Sequence, residues 1–285
     1  MGERIARSAL YVPGNKPELF DKAVEGPADV ILLDLEDSVP PPEKETARAT
    51  VATWLREAAP AGRRLWVRVN AGELGYEDLR AVALPATAAI CLAKTESAQQ
   101  ITAASALLDK AGPPAAEIRL CPLLESASAV FAAREIAAAP RVLRLQVGEA
   151  DLRAELAITP AADERELLFL RSQIVLASAA AGIVPPLGPA RTDYRDLDAL
   201  RASTLALSRL GFRGRSCIHP AQVPIVNKVF TPTAADLERA QNVVNLFEAA
   251  NGGVVLDPEG RMVDLAVIRH AQRLLGDGKA HTDPP

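Results

Sequence analysis

The sequence predicts an α/β chain: a (β/α)8 TIM barrel carrying a C-terminal helical extension. Three observations predict it. Eight short strand-like runs each precede an alanine-rich helical stretch within 285 residues. The runs are almost continuously apolar, which fits a parallel sheet covered by helices rather than a sheet with one wet face. No G-x-G-x-x-G follows the first run and no Walker-type phosphate loop occurs, so an open doubly wound sheet is the weaker alternative. A barrel of this kind takes about 250 residues as one domain.

The units follow in order. "SALYVPG" is a strand and "KPELFDKAVE" its helix. "ADVILLDLED" leads into "EKETARATVATWLREAA". "RRLWVRVN" precedes "YEDLRAVAL", and "AAICLAK" precedes "SAQQITAASALLDKAG". "EIRLCPLLES" leads to "SAVFAAREIAAA". "VLRLQVGEADL" leads to "ERELLFLRSQIVLASAAAG". "IVPPLG" is the seventh strand, before "DLDALRASTLALSRLG". "RGRSCIHP" is the eighth, before "QVPIVNKVF".

Two more helical segments follow, "PTAADLERAQNVVNLFEAAN" and "GRMVDLAVIRHAQRLL". Pro232 near the start of the first and Gly252 just after it sit where helix ends favour them. "GGVVLDPEG" between the two is a turn-rich connector. The expected organisation is a catalytic barrel over 1–230, a helical extension or lid over 231–276, and a flexible tail over 277–285.

Composition narrows the function classes. The chain is 49% hydrophobic and 24% charged, as soluble globular proteins are. Its net charge of −4 argues against a nucleic-acid partner. Cys91, Cys121 and Cys217 form no CxxC or CxxxH pattern, so zinc is not expected. They read as reduced core cysteines, which favours the cytoplasm. "MGERIARSALYVPG" has no long apolar segment of the signal-peptide type, and no apolar run reaches the ~18 residues of a membrane helix.

Barrel active sites lie at the C-terminal ends of the strands. The polar residues that stop the apolar runs are Asp34, Glu36 and Asp37, then Arg68 and Asn70, Lys94, Glu125, Glu149 with Asp151, and His219. Glu125 and Asp151 end neighbouring strands. Two carboxylates so placed suit a hard divalent cation, since Mg²⁺ is held by one or two carboxylates with water and substrate oxygens completing its shell. The plainer reading makes both of them loop acids. Arg68 either clamps a substrate carboxylate bidentately or forms a structural ion pair with Asp34, Glu36 or Asp37. The "DLED" acids either bind metal or orient Arg68 and Lys94 from behind, and facing two cations favours the second. His219, fixed by Pro220, is a structural histidine or a substrate contact. Asp264 in "MVDLAVI" is a helix N-cap or, in its apolar setting, a proton donor.

At these residues the sequence resembles the citrate lyase β-subunit family of the HpcH/HpaI aldolase superfamily, which includes malyl-CoA and citramalyl-CoA lyases. The resemblance runs from "LYVPGNKPELFDKA" through "DLEDSV", "VRVN", "LLES", "GEADL", "TDYRDLDALR" and "GFRGRSCIHPAQVPIVNKVFTP" to "GRMVDLAVIRHA". It implies a Mg²⁺-dependent barrel that makes or breaks a carbon–carbon bond between a CoA or acyl-carrier thioester and a 2-oxo acid (oxaloacetate, pyruvate or glyoxylate). It implies that Glu125 and Asp151 hold the metal and that Arg68 holds the oxo-acid carboxylate. It places Tyr11, Lys16 and Lys22 near substrate or CoA, Ile218 and His219 along the thioester path, and Ala150 where it leaves room for the oxo acid. Asp264 would be the acid/base residue, often delivered from a neighbouring subunit of a trimer or hexamer.

The first expectation is therefore cleavage of a citryl thioester to oxaloacetate and an acetyl thioester by a retro-Claisen route. The alternatives are a malyl-CoA or citramalyl-CoA lyase or malate synthase-type condensing enzyme, and a subunit acting mainly by assembly with a carrier protein. A barrel aldolase for free hydroxy acids, with no need of Asp264, is the weakest. Two departures bear on the substrate. Many citrate lyase β-subunits read "GAEDL" where this chain reads "GEADL", nearer the "GAAD" of malyl-CoA lyases, and Ala93 stands where the family often has proline.

Overall fold

The computed structural model describes residues 5–62, 64–250 and 253–282. They fall into two compact units, a barrel unit over Ala6–Asn227 and a C-terminal unit that begins at Lys228.

In the barrel unit, β1 (Ser8–Pro13) is followed by α1 (Phe20–Glu25), β2 (Val30–Asp34) by α2 (Lys44–Glu57), and β3 (Leu65–Val69) by α3 (Gly72–Val82). Next come β4 (Thr87–Leu92), α4 (Ala98–Lys110) and β5 (Arg119–Leu124), then the short α5 (Ala127–Phe131) and α6 (Ala133–Ala137). β6 (Gln146–Val147) leads directly into α7 (Glu149–Glu155), followed by α8 (Leu168–Ala180) and α9 (Leu197–Leu210). β7 (Arg215–Cys217) and α10 (Gln222–Phe230) complete the series. The strands form one parallel sheet in the order β6-β5-β4-β3-β2-β1-β7.

The expected seventh strand is not a regular strand. Pro185 and Pro186 have no N–H to donate to a ladder. The segment joins the ring only through bridges, Leu187 beside Gln146 and Gly188 beside Arg215. Leu187 N donates to Leu145 O and Gly188 N to Gly214 O, both at 2.9 Å. These bridges close the sheet between β6 and β7. Arg144, fully buried, pins the same segment from inside. It donates to the carbonyls of Pro185, Ala6 and Arg213, and burial without a carboxylate partner pushes its pKa down to about 10.

Strand alternation accounts for both core and site. Side chains two apart share a face, and the barrel interior is filled by Ala9, Val30, Leu32, Trp66, Ala89, Cys91, Cys121 and Leu123. Continuing four of these inward rows by one step reaches Tyr11, Asp34, Arg68 and Glu125, while the β4 row reaches Ala93. Those four rows thus end in polar groups at the C-terminal mouth. Register aligns them, since Asp34 pairs with Arg68, and Arg68 with Cys91.

Helix ends follow local chemistry. Ser97 and Gln100 form a capping box on α4. Asp196 caps α9 through Ala199 N, and Gly211 ends it with φ 111°, a conformation side chains resist.

The C-terminal unit holds α11 (Ala234–Ala249), a two-stranded hairpin of β8 (Val255–Leu256) and β9 (Met262–Val263), and α12 (Leu265–Thr282). From Gly253 onward the expected connector is therefore part of a hairpin, and Gly252 lies outside the described residues. α12 continues to Thr282, into the stretch read as a tail. Among the described residues no helix is long and apolar enough to cross a membrane.

Candidate active site

Arg68 is the centre of the barrel mouth. Its Nε donates to Asp34 Oδ1 at 2.6 Å and its Nη2 to Asp34 Oδ2 at 2.7 Å. Nη1 lies 2.8 Å from Glu36 Oε2 and 3.3 Å from Asp37 Oδ2. The guanidinium also covers the Tyr11 ring, 4.8 Å from its centroid. The bidentate partner of Arg68 is thus Asp34 and not an incoming carboxylate, because sheet register sets the two side by side. Burial alone would raise the Asp34 pKa, but the Arg68 hydrogen bonds and charge outweigh it and hold the carboxyl below its usual range.

Glu36 bridges the two cations. Its Oε1 accepts from Lys94 Nζ at 2.8 Å while Oε2 faces Arg68. Lys94 has φ 49°, left-handed for a residue with a side chain. Such backbone costs of order 1–3 kcal/mol and persists where surroundings enforce it. Here it aims the Lys94 N–H at Glu125 Oε2, 2.8 Å away.

Glu125 is the most perturbed acid of the site. Burial pushes its pKa up to about 7, against the pull of the Lys94 N–H and charge. The charge of Glu36 and the neighbouring Asp151 contribute to the same rise. Asp151 comes from the first turn of α7, where Gly148 ends the strand and opens a helix. The strand ends at Val147, and the acids expected at its end stand in the first turn of a helix rather than in a loop. Gly148 packs against Glu125 so closely that a Cβ there would lie 2.6 Å from Glu125 Cγ and Oε1.

These groups line a cavity of about 400 Å³ with Tyr11, Asp34, Asp37, Arg68, Ala150 and Ile218. A second cavity of about 580 Å³ shares Tyr11, Pro13 and Ile218 with it and is lined by Lys16, Lys22 and His219. His219 stacks on Tyr194, centroids 4.6 Å apart, and its Nδ1 accepts from Ala221 N at 3.1 Å. Those contacts fix its ring in a turn at the edge of this second cavity.

Asp264 belongs to the C-terminal unit. Its Oδ1 accepts from Ala266 N at 2.9 Å and Val267 N at 3.1 Å, the geometry of an N-cap on α12.

Sequence reasoning missed one group of charges. Glu149 does not stand free beside Asp151; Arg171 of α8 forks onto it with Nε at 2.6 Å and Nη2 at 2.8 Å. Arg171 also lies 2.8 Å from Glu164, which faces Arg191 at 3.7 Å. The available signal was the charge pattern of "ERELLFLR", where Glu164 and Arg171 flank an apolar run.

The donor set fits a hard divalent ion. Glu125 and Asp151 are two carboxylates lining one cavity, and burial with neighbouring acids holds Glu125 toward its neutral form, which a cation would reverse. Among the described residues no three His, Cys, Asp or Glu converge into a metal cage. A cation on these two would keep positions open for water and substrate, as Mg²⁺ sites do.

Residues 7–220 match the family model described as HpcH/HpaI aldolase/citrate lyase. The chain is 33% identical to the citrate lyase subunit beta of Leuconostoc mesenteroides subsp. cremoris, over 96% of this chain and 93% of that protein. It is 34% identical to a (3S)-malyl-CoA thioesterase of Cereibacter sphaeroides, over 96% and 95%. Among solved structures it resembles the protein CitE from Mycobacterium tuberculosis in complex with magnesium, acetoacetate and coenzyme A. The TM-score is 0.79 at 31% identity, covering 97% of this chain and all of that one.

Proposed function

The chain belongs to the HpcH/HpaI aldolase/citrate lyase family, and on that premise we propose that it is a Mg²⁺-dependent carbon–carbon lyase cleaving a citryl thioester to oxaloacetate and an acetyl thioester. The observation that carries this reading is that Glu125, Asp151 and Arg68 line one cavity at the barrel mouth. The crystal structure of a relative with magnesium, acetoacetate and coenzyme A supports the same ligand classes.

Glu125 and Asp151 would hold the metal. When bound, Mg²⁺ supplies Lewis-acid stabilisation of negative charge on the 2-oxygen of the acid. Arg68 adds a fixed positive charge that Asp34 and Tyr11 keep in one orientation, so no reorganisation is needed as charge develops. Because its fork is held by Asp34, Arg68 would reach the acid through a single remaining Nη2 hydrogen and through its charge. The carbon–carbon bond breaks with its electron pair moving to the carbon next to the thioester carbonyl, while the 2-hydroxyl gives up its proton to solvent and becomes the oxo group. Asp264 would deliver a proton to that carbon, from its own or a neighbouring subunit of a trimer or hexamer. Exposed Lys16 and Lys22 beside the second cavity suit the phosphates of CoA or a carrier. Buried Cys91 and Cys217, which form no disulfide, support a cytoplasmic setting.

A second reading, cleavage of malyl-CoA or citramalyl-CoA, is favoured by "GEADL" and by the likeness to a malyl-CoA enzyme. Citryl-, malyl- and citramalyl-thioesters assayed with and without Mg²⁺ test both. Mg²⁺-dependent release of oxaloacetate is expected; glyoxylate or pyruvate instead selects the second reading, and a free acid with its carbon skeleton intact marks thioester hydrolysis. Failure of every thioester to be cleaved overturns the lyase reading.

A further inference from the structure

Asp151 sits on a helix that cannot hold itself. α7 is seven residues long, and Gly148 at its N-cap supplies no side-chain cap. Isolated helices of this length are unstable in water, so the direction of Asp151 must be set by tertiary contacts of the same turns. Leu152 is one, fully buried. Glu155 is another, its carboxylate accepting from Ala127 N at 2.9 Å. Glu149 is the third. It leaves the helix two residues before Asp151, and its carboxylate is gripped by both prongs of Arg171.

Arg171 lies in the first turn of α8, and its side chain is 3% exposed. It is shared with Glu164 Oε2 at 2.8 Å. Glu164 is held at φ 53°, left-handed, and its other oxygen faces Arg191. Two arginines and two glutamates from four chain segments therefore meet behind the cavity wall with their charges balanced. Cohesion alone does not explain such a group, since well-packed apolar residues hold elements together as well as a buried ion pair does. A bidentate fork adds direction.

Direction matters here because tolerances are small. At the ~6 Å radius of a helix surface, a rotation of about 10° moves a side-chain end by ~1 Å. Metal–oxygen distances tolerate about 0.2 Å. Glu149 and Asp151 share one short helix and turn together, so the grip on Glu149 also fixes the angle of Asp151.

We propose that Arg171, through its fork on Glu149, is the positioning residue for Asp151, holding that carboxylate at the angle from which it and Glu125 share a divalent cation. The proposal rests on the metal reading above. It also gives a role to the glutamate displaced within "GEADL": Glu149 is the handle by which α7 is held.

The test is Mn²⁺ binding by electron paramagnetic resonance and Mg²⁺ binding by calorimetry on the full chain, with thermal unfolding alongside. Glu149→Ala leaves Arg171 its pair with Glu164, so the fold is expected to survive. Arg171→Lys keeps the charge and loses the fork. Each is expected to weaken Mn²⁺ and Mg²⁺ binding by about 10-fold or more, in the range of other residues that orient metal ligands, and to change the Mn²⁺ line shape. Asp151→Asn is expected to remove tight binding altogether. If Asp151→Asn abolishes binding but Glu149→Ala and Arg171→Lys bind as wild type, the pair is scaffold only and the proposal falls. If Asp151→Asn itself binds as wild type, the metal reading and the proposal fall together. Should Arg171→Lys not fold, Glu149→Ala alone decides.

Discussion

Arg68 grips Asp34 with both prongs of its guanidinium inside the barrel mouth, at 2.6 and 2.7 Å. Neither group reached this position by local sequence. Their strands are neighbours in the sheet, and register makes Asp34 and Arg68 direct partners. Removing one member leaves the other charged, buried and short of its partner, which costs about 3–5 kcal/mol. Asp34→Asn should therefore lower the urea midpoint clearly at pH 7. The pH dependence follows from the lowered Asp34 pKa. A carboxyl whose folded pKa is depressed contributes stability above its unfolded value, near pH 3.9. That contribution is lost as pH falls through the folded value. The gap between wild type and Asp34→Asn should narrow below about pH 4; a gap of equal size at pH 7 and pH 3 would show that another group carries it.

Gly148→Ala isolates the proposed metal-binding geometry from the fold. Gly148 has no left-handed backbone to strain, but a Cβ would meet Glu125 Cγ and Oε1 at 2.6 Å. The side chain of Glu125 must move, since the glycine is backbone within a packed ring. Overpacking costs about 1–3 kcal/mol, so the variant should fold with a modestly lower melting temperature. Its Mg²⁺ affinity should drop by at least about 10-fold, the usual loss when a ligand's orientation is disturbed. Unchanged calorimetric binding would mean that Glu125 is not a ligand.

The inward rows were the readable part of this chain. Val30, Leu32 and Asp34, or Cys121, Leu123 and Glu125, form period-two series, and the polar residue ending each one marks the barrel mouth. What could not be read depends on distances across the fold. Which acid of "DLED" would fork with Arg68 is decided by sheet register. The Glu149–Arg171 pair spans 22 residues. The seventh strand was recognisable as a unit, but two prolines reduced it to bridges at Leu187 and Gly188. In "VGEADL" the apolar run pointed to a strand, while Gly148 turned the chain into a helix and put both acids in its first turn.

The three cysteines should be inert in the native state. Cys91, Cys121 and Cys217 are all fully buried. Burial pushes the Cys217 thiol up to about 12 and the Cys91 thiol well above its ordinary value. The thiolate is the reactive form, so a chromogenic disulfide reagent at pH 8 should release almost no colour from native protein. After denaturation all three should react. A fast native thiol would show that one of these sites opens.

Asp264 has a structural role as a helix cap and a proposed chemical role, and one substitution separates them. Its Oδ1 accepts from Ala266 N and Val267 N, which caps α12. Asparagine caps a helix about as well as aspartate, whereas alanine costs about 1 kcal/mol. Asparagine cannot hold or deliver the proton that the thioester carbon needs. Asp264→Asn should therefore unfold at the wild-type temperature and bind Mg²⁺ as wild type does, yet turn over at least about 100-fold more slowly, the lower range for loss of a general acid or base. Asp264→Ala should lose the same activity and some stability of the C-terminal unit besides. Exchange of the acetyl-thioester methyl protons with solvent deuterium reads the proton step alone, and Asp264→Asn should abolish it even where the carbon–carbon bond is not made. If Asp264→Asn exchanges and turns over at the wild-type rate, the cap is the whole of its role and the proton donor lies elsewhere.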